Sequence, residues 1–153
     1  MADTAATTEL VITRVFDAPR ELVYRAFTDP DQLAQWFGPV GFSVPRDTVD
    51  IDARVGGHQR FTMVSDHDPA MSSTVNATFT EVVENELLVG TETAEGVPGV
   101  AEGTVFSLRV EFHDEDGRTR LVLRQGPYTA EMEGMARAGW LSSFGKLDTL
   151  LAG

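Results

Sequence analysis

The 153-residue chain contains no cysteine, and this absence excludes several kinds of chemistry. The protein can form no disulfide, carries no thiolate nucleophile and offers no sulfur ligand to zinc or to an iron–sulfur cluster. A chain without cysteine suits the reducing cytoplasm, which is where we expect this protein to reside. Histidine is also scarce, and no two of the three histidines share metal-ligand spacing with a carboxylate on one element. We therefore predict no metal site and no cofactor.

Positively charged residues are also few compared with negatively charged ones. Twelve Lys and Arg residues face 24 Asp and Glu residues, which gives a net charge of −12, and Lys146 is the only lysine. A surface this acidic repels nucleic-acid phosphates and anionic lipid headgroups, so we expect neither nucleic acid nor a membrane as a partner. No apolar run approaches the roughly 18 residues that a membrane span needs.

The chain length predicts one domain. We expect residues 1–8, which are small and polar, to form a flexible tail, and residues 9–153 to form the domain. Hydrophobic periodicity predicts the elements within it. The predicted strands lie at 9–16, 42–54, 58–64, 74–83, 87–93, 104–113 and 118–125, and the predicted helices at 19–28, 31–37 and 130–151. Three glycines and a proline within residues 94–103 indicate a mobile loop.

These elements predict an α+β domain with six or seven antiparallel strands. Two short helices follow the first strand, and one long helix ends the chain. A sheet of this kind needs one face covered, and only the last helix is long enough to cover it.

Several segments resemble the START-like (SRPBCC) superfamily, and in particular its branch related to the activator of the heat-shock-protein-ninety ATPase. The opening VITRVFDAPRELVY at 11–24 and FTDPDQLAQWFGP at 27–39 carry the resemblance, and segments at 52–57, 79–82 and 139–147 agree in order. The resemblance covers residues 9–151. It implies a helix-grip fold, in which a curved antiparallel sheet wraps around the C-terminal helix with a cavity between them. Members of the superfamily bind lipids, sterols, polyketides and other apolar ligands, and a minority are cyclases or hydrolases.

A set of aromatic and methionine residues is either packed core or, as the resemblance implies, the wall of a ligand cavity. The set consists of Trp36, Phe37, Phe61, Met63, Phe79, Met132, Met135, Trp140 and Phe144. Strand periodicity adds two amides, because Gln59 shares a face with Phe61 and Gln125 shares one with Leu123. A buried amide needs hydrogen-bond partners, which are supplied by the backbone, by ordered water or by a polar group of a ligand.

The leading hypothesis is therefore the binding of a small hydrophobic or aromatic ligand between the sheet and the C-terminal helix. Two alternatives remain open. One is an interaction module with a chaperone partner, and the other is a cyclase or hydrolase acting on a bound metabolite. The enzyme needs an acid or base in the cavity, and Glu81 is the candidate general base. Because two-fold homodimers are the commonest oligomers, a homodimer is a further partner to be tested.

Overall fold

The computed structural model describes residues 7–94 and 100–152, and within them eight strands form one antiparallel sheet. The strands are β1 (Thr8–Phe16), β2 (Phe42–Ser43), β3 (Asp50–Ile51), β4 (His58–Ser65), β5 (Ser72–Val83), β6 (Leu87–Thr93), β7 (Val105–Glu115) and β8 (Arg118–Tyr128). Their spatial order is β1-β8-β7-β6-β5-β4-β2, and β3 also pairs with β4. The sheet is thus a meander from β4 to β8, and β1 pairs with β8 at one edge of it.

Three α-helices accompany the sheet in the described part of the chain. They are α1 (Arg20–Thr28), α2 (Pro30–Trp36) and α3 (Ala130–Ala152). Asp29 separates the first two, and its carboxylate accepts the backbone N–H of Asp31 at 2.9 Å, with Pro30 at the first helical position. The pair lies between the first and second strands in sequence, and α3 is the long final helix. The predicted α+β helix-grip fold is confirmed.

All three helices pack on the same face of the sheet, and the core lies between them and the strands. The indole of Trp36 in α2 is fully buried and donates to the carbonyl of Ala26 at 2.8 Å. In α3, the ring of Phe144 meets that of Phe16 edge-on, with centroids 5.2 Å apart. At this edge Arg14 of β1 forms an ion pair with Asp148 of α3. These contacts fix α3 across the sheet.

One predicted strand, at 42–54, is wrong. The structure has two two-residue strands there, β2 and β3, separated by a 3-10 turn at Arg46–Thr48. Pro45 precedes the turn and has no N–H to give to a strand ladder. The hydroxyl of Thr48 donates to the Pro45 carbonyl at 2.7 Å, which stabilises the turn instead.

The last two predicted strands are joined by a tight hairpin. Asp116 and Gly117 connect β7 to β8 with φ values of 54° and 83°, as a two-residue turn with both central residues in the left-handed region requires. Two other predictions lie largely outside the described residues: residues 1–6 of the flexible tail predicted at 1–8, whose last residue, Thr8, begins β1, and residues 95–99 of the mobile loop predicted at 94–103. Both stay predictions.

No helix within the described ranges is long and apolar enough to cross a membrane.

Candidate functional site

A cavity of about 100 Å³ lies between the inner face of the sheet and the helices. Strands β4 to β8 form its floor, and residues of the helical side close it. Most of its wall is apolar, and the principal apolar contributors are Phe27, Phe37, Phe61, Phe79, Leu88, Val110 and Trp140. Aromatic and aliphatic walls of this kind suit the burial of an apolar group.

The strand register explains which side chains reach the floor. In β6, Gly90 pairs with Phe79 of β5 on one side and with Leu108 of β7 on the other, and Leu108 in turn pairs with Gln125 of β8. These four positions form one row across the inner face. A Cβ added at Gly90 would lie only 3.2 Å from the carbonyl oxygen of Thr78, so a larger residue there would press against β5. Glycine lets the two strands approach closely at the cavity floor.

Six of the eleven residues predicted for ligand binding line this cavity together. They are Phe37, Gln59, Phe61, Phe79, Gln125 and Trp140. Trp36 and Phe144 are fully buried in the adjoining core and do not line it, so for them the packed-core interpretation holds. Met63 is half-buried and packs against the core outside the cavity wall.

The two methionines of α3 do not reach the cavity. Met135 is 70% exposed, and its assignment to the cavity wall is corrected. It lies five residues before Trp140, which places it about 140° around the helix from the buried stripe. Met132 is half-buried one turn earlier and is also absent from the wall. The inner stripe of α3 therefore starts later in the helix than predicted.

Glu81 lies on the outer face of the sheet, which corrects its placement as a base inside the cavity. Strict alternation from the buried Phe79 would turn Glu81 inward. A β-bulge between these two residues shifts the register, so that Glu81 is exposed and pairs with Val89. Val89 pairs in turn with Arg109, which also belongs to the outer face.

One of the two predicted amides already has a protein partner. The indole Nε1–H of Trp140 donates to Oε1 of Gln125 at 2.8 Å. This bond fixes the orientation of the amide and leaves its Nε2 hydrogens as donors at the cavity wall. Gln59 makes no side-chain hydrogen bond with any of the residues that the structure describes. Both amides can therefore bond to a polar group within the cavity.

Glu92 is a cavity residue that the sequence analysis missed. Leu88, Gly90 and Glu92 occupy every second position of β6 and share its inner face. The two-residue period of the predicted strand at 87–93 was therefore enough to place Glu92 on that face. Its Oε2 accepts the backbone N–H of Asn76 at 2.7 Å. Burial raises the pKa of Glu92 above its usual 4.5, and the bond from Asn76 opposes that shift. Burial, followed by the charge of Glu92, also raises the pKa of Tyr128 to about 12.

The histidines take no part in this site. His58 and His113 each lie 2.9 Å from a single carboxylate, that of Asp50 and that of Glu111. Among the described residues, no group of three His, Asp or Glu side chains could hold a metal ion.

Solved structures share this architecture over nearly the whole chain. A protein from Chromobacterium violaceum is 25% identical with a TM-score of 0.82, covering 95% of this chain and 97% of its own. The AHSA1 protein from Silicibacter pomeroyi is 26% identical with a TM-score of 0.79, and the match covers 95% of this chain and 98% of that protein. A protein from Nitrosomonas europaea, 23% identical with a TM-score of 0.77, covers 94% of each chain and shows the fold alone.

No curated protein matches the chain. The family model described as "Activator of Hsp90 ATPase homolog 1-like protein" matches residues 17–152, which include α1, α2, the cavity-lining strands and all of α3. The resemblance inferred from the sequence motifs is confirmed, and the chain belongs to the Activator of Hsp90 ATPase homolog 1-like protein family.

Proposed function

We propose that the protein is cytoplasmic and binds a small hydrophobic or aromatic ligand in the cavity between the sheet and α3. The observation that carries this proposal is an apolar space into which two amides, Gln59 and Gln125, bring unused hydrogen-bonding groups. Burial of the ligand would contribute roughly 25 cal/mol per Å² of apolar area. The amides would orient a polar substituent of the ligand.

The cavity volume limits the size of that ligand. Small-molecule sites usually measure about 300–1,000 Å³, and an apolar cavity of about 150 Å³ holds benzene. At about 100 Å³, this cavity is smaller than that, so it limits the ligand to a single small ring, and binding even that ring requires the wall to expand. A larger ligand would have to displace Phe37 or Trp140, whose rings meet edge-on at 5.3 Å.

Ligand binding is tested by filling the cavity. Ala77 of β5 lines it, so Ala77→Leu adds a branched side chain to the space. Ala138→Leu makes the same change at an exposed position of α3 and serves as the control. Benzyl alcohol at about a hundred times its dissociation constant should stabilise the wild type by roughly 2.7 kcal/mol. For this chain length that is a rise in Tm of about 5–10 °C.

The Ala138→Leu variant should show the same rise, and Ala77→Leu should show none. An equal rise in Ala77→Leu would place the alcohol elsewhere on the protein. If neither benzyl alcohol nor indole changes Tm or gives heat in a calorimetric titration with the wild type, the proposal fails.

The second candidate is an interaction module with a chaperone partner, as the family description suggests. Val40 is 77% exposed and Leu141 is 48% exposed. The backbone N–H of Val40 donates to the hydroxyl of Ser142 at 2.8 Å, so the loop carrying Val40 lies beside the turn of α3 that carries Leu141. Exposed apolar side chains that lie near one another favour contact with another protein.

The two candidates predict opposite results with the same variants. An interaction module should stimulate the ATPase rate of Hsp90, lose that effect in a Val40→Ser, Leu141→Ser double variant, and retain it in Ala77→Leu. A ligand-binding protein should leave the ATPase rate unchanged in every case. The cyclase or hydrolase alternative loses its candidate base, because Glu81 lies on the outer face.

A further inference from the structure

Strands β5 and β6 separate at one end, and a carboxylate lies in the gap. Their backbone pairing stops at Thr78 and Thr91, although β5 extends back to Ser72 and β6 continues to Thr93. Just beyond the last pair, Oε2 of Glu92 accepts the backbone N–H of Asn76. A side chain thus takes the hydrogen bond that a neighbouring strand would otherwise accept.

Two spaces meet at this gap. One is the apolar cavity of about 100 Å³, and the other is an outer hollow of about 490 Å³. Val75, Thr91, Glu92 and Phe106 line both. Most of the remaining wall of the outer hollow carries hydroxyl or amide groups, from Ser73, Thr74, Asn76, Thr78 and Thr93. Glu92 therefore lies where an apolar interior meets a polar exterior.

The charge at this junction has one sign. Among the described residues that line either space, Glu92 is the only charged one. A ligand carboxylate would find no cation among these lining residues, since Arg60, which donates to Oδ1 of Asn76 at 3.2 Å, lines neither space, and it would be repelled by Glu92. An ammonium group would find the carboxylate and the nearby rings of Phe106 and Tyr128, whose centroids are 5.5 Å apart. The ammonium group would in turn offset part of the hydration free energy that the half-buried carboxylate lost on burial.

We propose that the cavity takes a small aromatic amine, with its ring among the apolar side chains and its ammonium group on the Glu92 carboxylate at the β5–β6 gap. The inference rests on the proposed function and specifies its ligand class. Asn76 holds Oε2 of Glu92, which leaves Oε1 as the acceptor for the ammonium group. A charge-assisted hydrogen bond of this kind is about twice as strong as one between neutral groups.

Four compounds with one ring in common test the proposal by calorimetric titration at neutral pH: benzylamine, benzyl alcohol, toluene and benzoate. We expect benzylamine to bind most tightly and benzoate not to bind. In Glu92→Gln, the affinity for benzylamine should fall about ten-fold or more while that for toluene stays constant. Glu81→Gln makes the same change of charge on the outer face and should alter the benzylamine affinity by less than about two-fold.

An equal loss of benzylamine affinity in Glu92→Gln and Glu81→Gln would show that the preference for benzylamine comes from the net charge of the protein. That result would overturn the inference. Benzoate binding as tight as that of benzylamine, or an unchanged affinity in Glu92→Gln, would also overturn it. In those cases the binding of toluene or benzyl alcohol would still support the proposed function. If none of the four compounds binds, both proposals fail.

A second measurement needs no variant. In the wild type, the affinity for benzylamine should fall as the pH decreases through the pKa of Glu92, because the carboxylate becomes neutral, while toluene affinity stays constant. Two described groups lie near Glu92: Tyr128, which with a pKa of about 12 stays neutral throughout, and the guanidinium of Arg60, which donates to Oδ1 of Asn76 at 3.2 Å. A benzylamine affinity that does not change with pH would contradict the role of Glu92.

Discussion

Replacing Trp140 by phenylalanine tests the connection between α3 and the cavity floor. The change removes the indole N–H that donates to Gln125 at 2.8 Å, and such a bond contributes about 0.5–1.5 kcal/mol. It also removes roughly 40 Å³ of side-chain volume, which at about 24 cal/mol per Å³ of cavity costs about 1 kcal/mol. The sum is about 2 kcal/mol, or a fall in Tm of roughly 4–8 °C at this chain length.

A double-mutant cycle separates the hydrogen bond from the packing. Gln125→Leu removes the acceptor, and the double variant Trp140→Phe, Gln125→Leu removes both partners. Urea unfolding, followed by circular dichroism with a constant m value, gives the four free energies of unfolding. We expect a coupling energy of about 0.5–1.5 kcal/mol. A coupling energy of zero would show that the bond does not stabilise the fold and would remove the reason for a fixed amide orientation.

Three further predictions concern fluorescence, salt and pH. In a Trp36→Phe background, saturating benzyl alcohol should change the emission of Trp140, which lines the cavity; stabilisation without a spectral change would place the ligand away from this indole. Because the net charge is −12, adding sodium chloride should raise Tm by screening repulsion, and a constant Tm would mean that the charges are already compensated within the fold. Burial raises the pKa of Glu92 in the folded state, so the folded protein binds this proton more tightly than the unfolded chain. The stability contributed by Glu92 therefore falls as the pH rises from 4.5 through the folded-state pKa, and Glu92→Gln should gain stability relative to the wild type over that range in urea unfolding. A difference independent of pH would contradict the shift.

The sequence predicts most of this fold because local patterns and the required topology agree. Alternation along the long strands, the Asp-Gly hairpin turn and the Pro30 helix start are each properties of a few neighbouring residues. The predicted strand at 42–54 failed because one proline outweighs a run of residues that favour strands. Pro45 removes a ladder hydrogen bond, and Thr48 closes a turn in its place.

The cavity was harder to predict because its wall depends on which residues of each strand, and which end of the apolar stripe of α3, face inward. A β-bulge between Phe79 and Glu81 turns a predicted inward carboxylate outward, and no local pattern in the sequence marks that bulge. Glu92 follows simple alternation and could have been found from the phase of β6. On α3, a stretch of apolar residues extends back to Met135, but the sheet covers only part of that stretch. Tertiary contact decides which end of an apolar stripe is buried.

The most direct test of ligand binding is an NMR measurement of contacts between benzyl alcohol and the isotope-labelled protein. We predict intermolecular nuclear Overhauser effects from the ring of the alcohol to Trp140 and Leu88, which line the cavity. Effects confined to Leu141, which is exposed on α3, and to Val40, which is exposed beside it, would place the compound on the outer surface and contradict the proposed function.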